Sequence, residues 1–354
     1  MKSGVKPHVI GIRTDANDVV ATGHMMRCIT IAKQLEKLGA KVIFFVADGY
    51  GIPMLQENGF AYEVLHTDWA NPMEEIEILC QGIRLNNVRT MLFDSYRMTK
   101  QYFEELRERL ADTVRFAYID DLFEDVYPVD IIINYNAYYG QFPYDEAYTD
   151  KTCTCLGAKY VPLREEFAKE NLSDGCENSV LLSCGGGDAL QSLYGILEQA
   201  VKDERFEEAK FHVVVGRYHQ KKELLEELSG KFENIVLHHN VSNMSELMET
   251  CQIAVSAAGT MLYELCAMER PTVFFITADN QRYDSDFFAE DERMLFAGDI
   301  RENREQCICR ILEGVHALLS DNGKRMVMKE KLRQVTDGKG AERIAKVLLE
   351  QYKY

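Results

Sequence analysis

The chain has 354 residues, an apolar content of 46% and a formal net charge of −17. That length suits two domains of ordinary size, and the apolar share supplies a core for each, which excludes a disordered or fibrous chain. The acidic balance argues against nucleic-acid binding, and the absence of a cationic apolar leader or a run of about 18 apolar residues predicts a cytoplasmic chain without membrane insertion. The ten cysteines are scattered, often inside apolar runs, and read as reduced, partly buried thiols. Cys153/Cys155 and Cys307/Cys309 lack the CxxC spacing, so no zinc site is expected.

Val9 to Ile12 reads as the first strand. A polar loop holding Arg13, Asp15 and Asn17 follows, then an amphipathic helix from Gly23, with Cys28, Ile31, Leu35 and Leu38 at helical spacing before Gly39. Gly23 lets a ligand approach the backbone closely. His24 comes next, at a helix start whose backbone donors disfavour positive charge and so favour the neutral imidazole of a general base. Lys41–Ala47 is a second strand, Ile52–Asn58 a short helix, Ala61–Val64 a strand and Pro72–Leu85 a helix. Val88–Phe93 is a strand ending in Asp94-Ser-Tyr96, and Thr99 caps a helix to Leu110. Val114–Ile119 and Asp130–Ile133 are further strands, ending in Asp120-Asp121 and Asn134. Strands that are apolar throughout and separated by helices specify a parallel sheet covered on both faces. Polar residues gather just beyond the strand ends, which is where open α/β sheets bind ligands.

From Ala137 to Asn178 periodicity is poor, and this stretch reads as the crossing between domains. Ser179–Ser183 is a strand followed by Gly185-Gly-Gly-Asp188. Gly185 and Gly186 admit a substrate, and Asp188 is placed to cap the next helix. The run is not GxGxxG and lacks the Walker lysine, which argues against a dinucleotide or nucleotide-hydrolysing loop. Strands follow at Phe211–Val215, Ile235–His238, Gln252–Ser256 and Pro271–Ile276, with helices at Lys221–Leu228, from Asn243 and from Met261. Ala257-Ala258-Gly259-Thr260 leaves a bare helix start, a cradle for phosphate made of N–H groups. Glu264, one turn on along the same face, can accept two hydroxyl hydrogen bonds from a ribose. Asn280-Gln281 opens another helix, and the tail holds three more to Leu349.

Arg13-x-Asp15, Gly23-His24-x-x-Arg27-Cys28, Asp94-Ser-Tyr96, Gly185-Gly186 with Asp188, Ala257 to Thr260, Glu264 and Asn280-Gln281 arrive in an order that resembles the PseG/SpsG-type group. These are UDP-sugar hydrolases of pseudaminic acid biosynthesis and related spore-coat polysaccharide proteins, similar to MurG-like glycosyltransferases. The resemblance covers about residues 8 to 300. It implies a GT-B-like α/β fold of two Rossmann-like parallel-sheet domains facing a central cleft. Residues 1–160 would form the sugar-side domain, 161–335 the nucleotide-diphosphate side, and 336–354 a helix packing back on the first domain. The family usually has serine in place of Asn17 and often glycine in place of Ala21, a difference that bears on the sugar pocket.

The expected function is hydrolysis of a UDP-linked deoxy-amino sugar at its anomeric carbon, with a glycosyltransferase and a non-catalytic sugar-nucleotide-binding protein as alternatives. His24 is the expected catalytic base. Asp15 either orients it or binds a sugar substituent, and Arg13, Asn17, Asp94, Tyr96, Gly185 and Gly186 are assigned to the sugar. Ala258, Gly259, Thr260, Glu264, Asn280 and Gln281 are assigned to the nucleotide, uridine being implied by the resemblance alone. Neither a metal nor a cofactor is expected, and the chain is expected to act as a monomer.

Overall fold

The computed structural model describes residues 8–17, 22–149, 151–184, 188, 191–216 and 222–350. The chain divides into two compact units: Met1–Arg164 together with Lys339–Tyr354, and Glu165–Gly338.

The first unit runs β1 (Val9–Thr14), α1 (Gly23–Lys37), β2 (Lys41–Val46), α2 (Ile52–Glu57), β3 (Ala61–Val64), α3 (Ile76–Leu85), β4 (Thr90–Asp94), α4 (Lys100–Leu110), β5 (Arg115–Ile119), β6 (Ile131–Asn134), α5 (Tyr144–Ala147) and β7 (Cys153–Leu156). Its seven strands lie in the order β3-β2-β1-β4-β5-β6-β7, every neighbouring pair parallel. Because successive strand residues point to opposite faces, both parities must be apolar, and they are. Phe45, Met91, Phe93, Phe116 and Ile132 join Leu79, Ile83, Tyr102, Phe103 and Leu106 of α3 and α4 in one core cluster. Phe44, Leu92, Ala117 and Ile133 have the other parity and are equally buried.

A helix from the far end of the sequence completes this unit. α13 (Gly340–Leu349, numbered after the helices of the second unit) buries Ala341, Ile344, Ala345 and Leu348 and packs on α1. Arg343 donates to the Lys159 carbonyl at 2.9 Å, and Gly340 lies so close to Val161 that an added Cβ would stand 2.2 Å from its carbonyl oxygen.

The second unit runs β8 (Cys176–Ser183), α6 (Ser192–Ala200), β9 (Lys210–Val215), α7 (Lys222–Lys231), β10 (Ile235–His239), α8 (Met244–Thr250), β11 (Cys251–Ala257), α9 (Thr260–Ala267), β12 (Thr272–Ile276), α10 (Arg282–Ala289), β13 (Leu295–Asp299), α11 (Arg304–Ser320) and α12 (Asn322–Arg333). Its sheet is again parallel, in the order β10-β9-β8-β11-β12-β13. Counted from the first strand of each unit, both sheets begin 3-2-1-4-5-6, the order of a dinucleotide-type doubly wound fold.

The elements depart from expectation at edges. β7 is a four-residue edge strand, two of whose residues are cysteines and one threonine, and β13 is an edge strand whose register shifts and whose Gly298 has φ 116°. Neither carries the long apolar run by which the inner strands declare themselves. The helix expected over Pro72–Leu85 begins as a 3-10 turn, Pro72–Glu75, before α3, and that turn places the wholly buried Glu75.

Candidate active site

In a sheet of this order the chain leaves the middle in opposite directions after strands 1 and 4, so their carboxyl ends part and open a crevice. In the first unit those strands are β1 and β4. β4 ends in Asp94, and the helix after β1 begins at Gly23-His24. His24 Nδ1 lies 2.6 Å from Asp94 Oδ1. Arg27, one turn further along α1, donates through Nε to Asp94 Oδ2 at 2.6 Å and through its second terminal nitrogen to Oδ1. The buried Cys28 thiol adds a donor to Oδ2 at 3.4 Å.

Burial by itself would raise the Asp94 carboxyl; the charge of Arg27, then that of His24, and the hydrogen bonds from both outweigh it and hold Asp94 well below the usual carboxylate range. An ionised carboxylate only accepts, so the proton on the 2.6 Å bond belongs to Nδ1. In its neutral form the imidazole would therefore carry its lone pair on Nε2, an atom without a hydrogen-bond partner among the described residues.

The strand ends beyond β4 continue the network. Arg27 donates to Asp121 Oδ2 at 3.0 Å and to the Tyr135 hydroxyl, with its guanidinium 5.3 Å from the Tyr135 ring centre. Tyr96 donates to Asp121 Oδ2 at 2.9 Å, and Asn136 to Oδ1 at 3.0 Å. The Tyr96 ring meets the imidazole edge to face, centroids 4.6 Å apart, while 52% of the residue stays exposed. Burial first, and then the charge of Asp121, push the Tyr96 phenol far above its ordinary value, so it remains a donor.

Arg13 and Asp15 belong to a separate network. Arg13 is 0% exposed; it donates to both oxygens of Glu75 at 2.7 and 2.6 Å and to Asp15 Oδ2 at 2.6 Å. Tyr102 also donates to Glu75, at 2.7 Å, and the Ala47 amide to Asp15 at 2.8 Å. Asn17 is buried just past β1. Two expected roles therefore change. The carboxylate on His24 is Asp94 rather than Asp15. Arg13 and Asp94, expected on the sugar, present no surface to solvent, because buried charges must be paired and these are taken up by protein partners.

In the second unit the corresponding strands are β8 and β11. Gly185 and Gly186, after β8, lie outside the described residues. Asp188 accepts the Ser192 and Leu193 amides at 2.8 Å each and caps α6. After β11, the Ala258 amide is spent on the Phe275 carbonyl at 2.8 Å, extending the ladder to β12, so a phosphate cannot use it. Gly259, at φ 129° with open space where a Cβ would stand, turns the chain into α9, and Thr260 is exposed at the helix start. The first amides of a helix have no intrahelical acceptor, which leaves Thr260 and Met261 as the local donors. Glu264 is half-buried one turn on. Beyond β12, Gln281 turns its carbonyl oxygen inward to Thr277 and Ala278, at 2.8 and 3.2 Å from their amides. Asn280 lies in the same 3-10 turn, and its side chain is outside the described residues.

Among the described residues no group of three or more His, Cys, Asp or Glu could hold a metal ion, and no helix is long and apolar enough to cross a membrane.

Comparison with known proteins adds the architecture. No family model matches the chain. An uncharacterized protein of Methanocaldococcus jannaschii is 26% identical over 292 residues, which take in 77% of this chain and 56% of that one, so the chain spans little more than half of its relative. Among solved structures, MurG of Acinetobacter baumannii superposes with a TM-score of 0.67 at 11% identity, covering 98% of this chain and 100% of that one. A UDP-glucosyltransferase from Polygonum tinctorium gives 0.68 at 11%, covering 98% and 99%. A putative UDP-N-acetylglucosamine 2-epimerase from Listeria monocytogenes gives 0.61 at 12%, covering 96% and 95%. The fold is GT-B-like. At such identities the likeness shows the architecture alone; in this GT-B-like chain the chemistry rests on the side chains just described.

Proposed function

We propose that the chain hydrolyses a UDP-linked deoxy-amino sugar of the 2,4-diacetamido-2,4,6-trideoxyhexose type at its anomeric carbon. The products are UDP and a free sugar, the latter destined for a nonulosonic acid or a surface polysaccharide. The observation that carries the reading is the His24–Asp94 pair, a histidine held by one nitrogen, with no partner for the other among the described residues, at the switch point of an α/β sheet.

In this mechanism Nε2 of His24 takes a proton from water as the water oxygen bonds to carbon 1 of the sugar. The C1–O bond to the diphosphate breaks, and UDP leaves with the electron pair. The diphosphate is a good leaving group, so no second carboxylic acid is needed to protonate it, unlike ordinary glycoside hydrolysis. Attack from the face opposite UDP inverts the anomeric centre. Tyr96 contacts the sugar through its exposed ring, with Asn17 and the Gly185-Gly186 turn as further sugar contacts. Arg13 supports the site through Glu75 and Asp15. The start of α9 at Gly259-Thr260 holds the diphosphate and Glu264 the ribose, with Asn280 and Gln281 beside them. No metal or cofactor enters the reaction.

The test is turnover in ¹⁸O-water of a UDP-linked diacetamido-trideoxy sugar by wild type and His24→Gln. Label in the sugar hydroxyl, with a loss of about 10²-fold or more in the variant, is expected; label in phosphate, or a variant as fast as wild type, refutes the mechanism. A glycosyltransferase is the second reading, favoured by the names of the structural neighbours, since His24 could equally deprotonate an acceptor hydroxyl. UDP released only when an acceptor is supplied would decide for it.

A further inference from the structure

Resting on the reading of His24 as the base, we propose that Arg27 is its positioning residue: it balances Asp94, so that the carboxylate orients the imidazole without turning it into an imidazolium.

Among the described residues, the groups that face the imidazole come from three places. α1 itself supplies Arg27, the end of β4 supplies Asp94, and the loop after β4 supplies Tyr96. Behind them, Cys28 donates to Asp94, and Asp121 and Tyr135 hold the other terminal nitrogen of Arg27. A carboxylate hydrogen-bonded to histidine does two things at once. It fixes which nitrogen carries the proton, and its charge favours a second proton on the ring. Orientation serves a base, whereas the second proton disables it.

Arg27 separates the two effects. It takes Asp94 in a two-point grip, Nε on one oxygen and a terminal nitrogen on the other. The terminal nitrogen shares Oδ1 with His24, which brings it 3.0 Å from Nδ1. Protonating His24 would therefore place an imidazolium in contact with a guanidinium over one oxygen. Asp121 binds the other terminal nitrogen of Arg27, Nη1, leaving Nη2 to face His24 over Asp94, and accepts from Tyr96 and Asn136. With a neutral side chain in place of Arg27, the buried Asp94 would have His24 as its only cationic partner among these groups, and its charge would favour the second proton on the ring.

The experiment is NMR of the substrate-free protein. Long-range ¹H–¹⁵N correlation of wild type at pH 7.5, with His24 assigned by difference from H24Q among the eight histidines, reads the ring directly. A protonated Nδ1 with a bare Nε2 is expected; two protonated nitrogens, or the proton on Nε2, would overturn the proposal. This measurement needs no variant at Arg27 to fold. In Arg27→Met the ring should titrate at least one pH unit above wild type, and Arg27→Lys should return it to within about half a unit, since it restores the charge. A methionine variant that titrates with wild type overturns the proposal. Because no substrate is present, these results stand apart from whether the enzyme is a hydrolase; with substrate, the acid limb of kcat/KM should move up in Arg27→Met and its alkaline plateau should be regained.

Discussion

Replacing Glu75 by leucine tests the buried network beneath the candidate site. Glu75 and Arg13 are both 0% exposed, and the substitution removes two charge-assisted bonds from the guanidinium and one from Tyr102. Burial tends to strip the Arg13 proton, but Glu75 and then Asp15 outweigh it and hold the guanidinium firmly charged. The variant thus keeps a cation in the core with Asp15 as its remaining ionic partner. Breaking one side of a buried pair costs about 3–5 kcal/mol, a large part of the roughly 5–15 kcal/mol that stabilises a domain. Arg13→Met/Glu75→Leu removes the unpaired cation and should regain part of that loss. The stranded Tyr102 hydroxyl, and the buried Asp15 carboxylate left without its cation, hold back the rest. Trp69, the only tryptophan, lies in the first unit with Arg97 5.5 Å from its ring centre, so its fluorescence in urea reports that unit. A double-mutant cycle with a coupling of at least about 2 kcal/mol is expected. Coupling under about 0.5 kcal/mol would refute the claim that Arg13 is held by Glu75, and would return Arg13 to the list of groups available to a sugar.

Three further outcomes follow from particular contacts. Asp94 titrates lower folded than unfolded, so its stabilisation is complete above the unfolded value near 3.9 and is lost as pH falls toward the folded one; urea midpoints should drop between about pH 4 and 2, by up to about 1.4 kcal/mol per pH unit, and less steeply in Asp94→Asn. Glu264→Ala should weaken UDP binding by about 1.5–3 kcal/mol through loss of charge-assisted bonds, and calorimetry giving unchanged affinity would remove Glu264 from the nucleotide site. Gly340→Ala should destabilise the first unit by about 1–3 kcal/mol through the clash with Val161, although alanine is the better helix former, and thermal unfolding followed at Trp69 would reveal it.

The inner strands were legible because residues such as Ile10, Phe44, Leu92 and Ile131 sit in runs apolar on both parities, a pattern a parallel sheet demands. β7 and β13 were not, because β7 is Cys-Thr-Cys-Leu and β13 is interrupted by Gly298 and a register shift, so neither shows an apolar run. Within the site, the helix start at Gly23-His24 was readable locally, but the partner of His24 was not. Asp15, Asp94 and Asp121 all follow strands, and which one meets the imidazole depends on β4 pairing beside β1, 70 residues further along the chain from His24 to Asp94. Glu75 was missed for the same reason, lying 62 residues from Arg13 in a turn that reads as a plain helix start. Arg27 did carry a local signal, standing three residues after His24 and hence on the same helical face. The spent amide of Ala258 shows the opposite error: a bare backbone looked free to bind, yet the neighbouring strand had claimed it.

Because the first unit closes with Gly340–Leu349, its assembly is out of step with synthesis. A chain emerging from the ribosome presents β1 to β7 early, but the apolar flank of α1 against which Ile344, Ala345 and Leu348 settle stays uncovered until the whole second unit has been translated. The helix that holds His24 and Arg27 is thus seated last. A chain cut short between residues 300 and 340 would carry every candidate site residue named above and still lack the clamp on the helix of His24 and Arg27, so such truncated products should be chaperone clients rather than partially active enzymes.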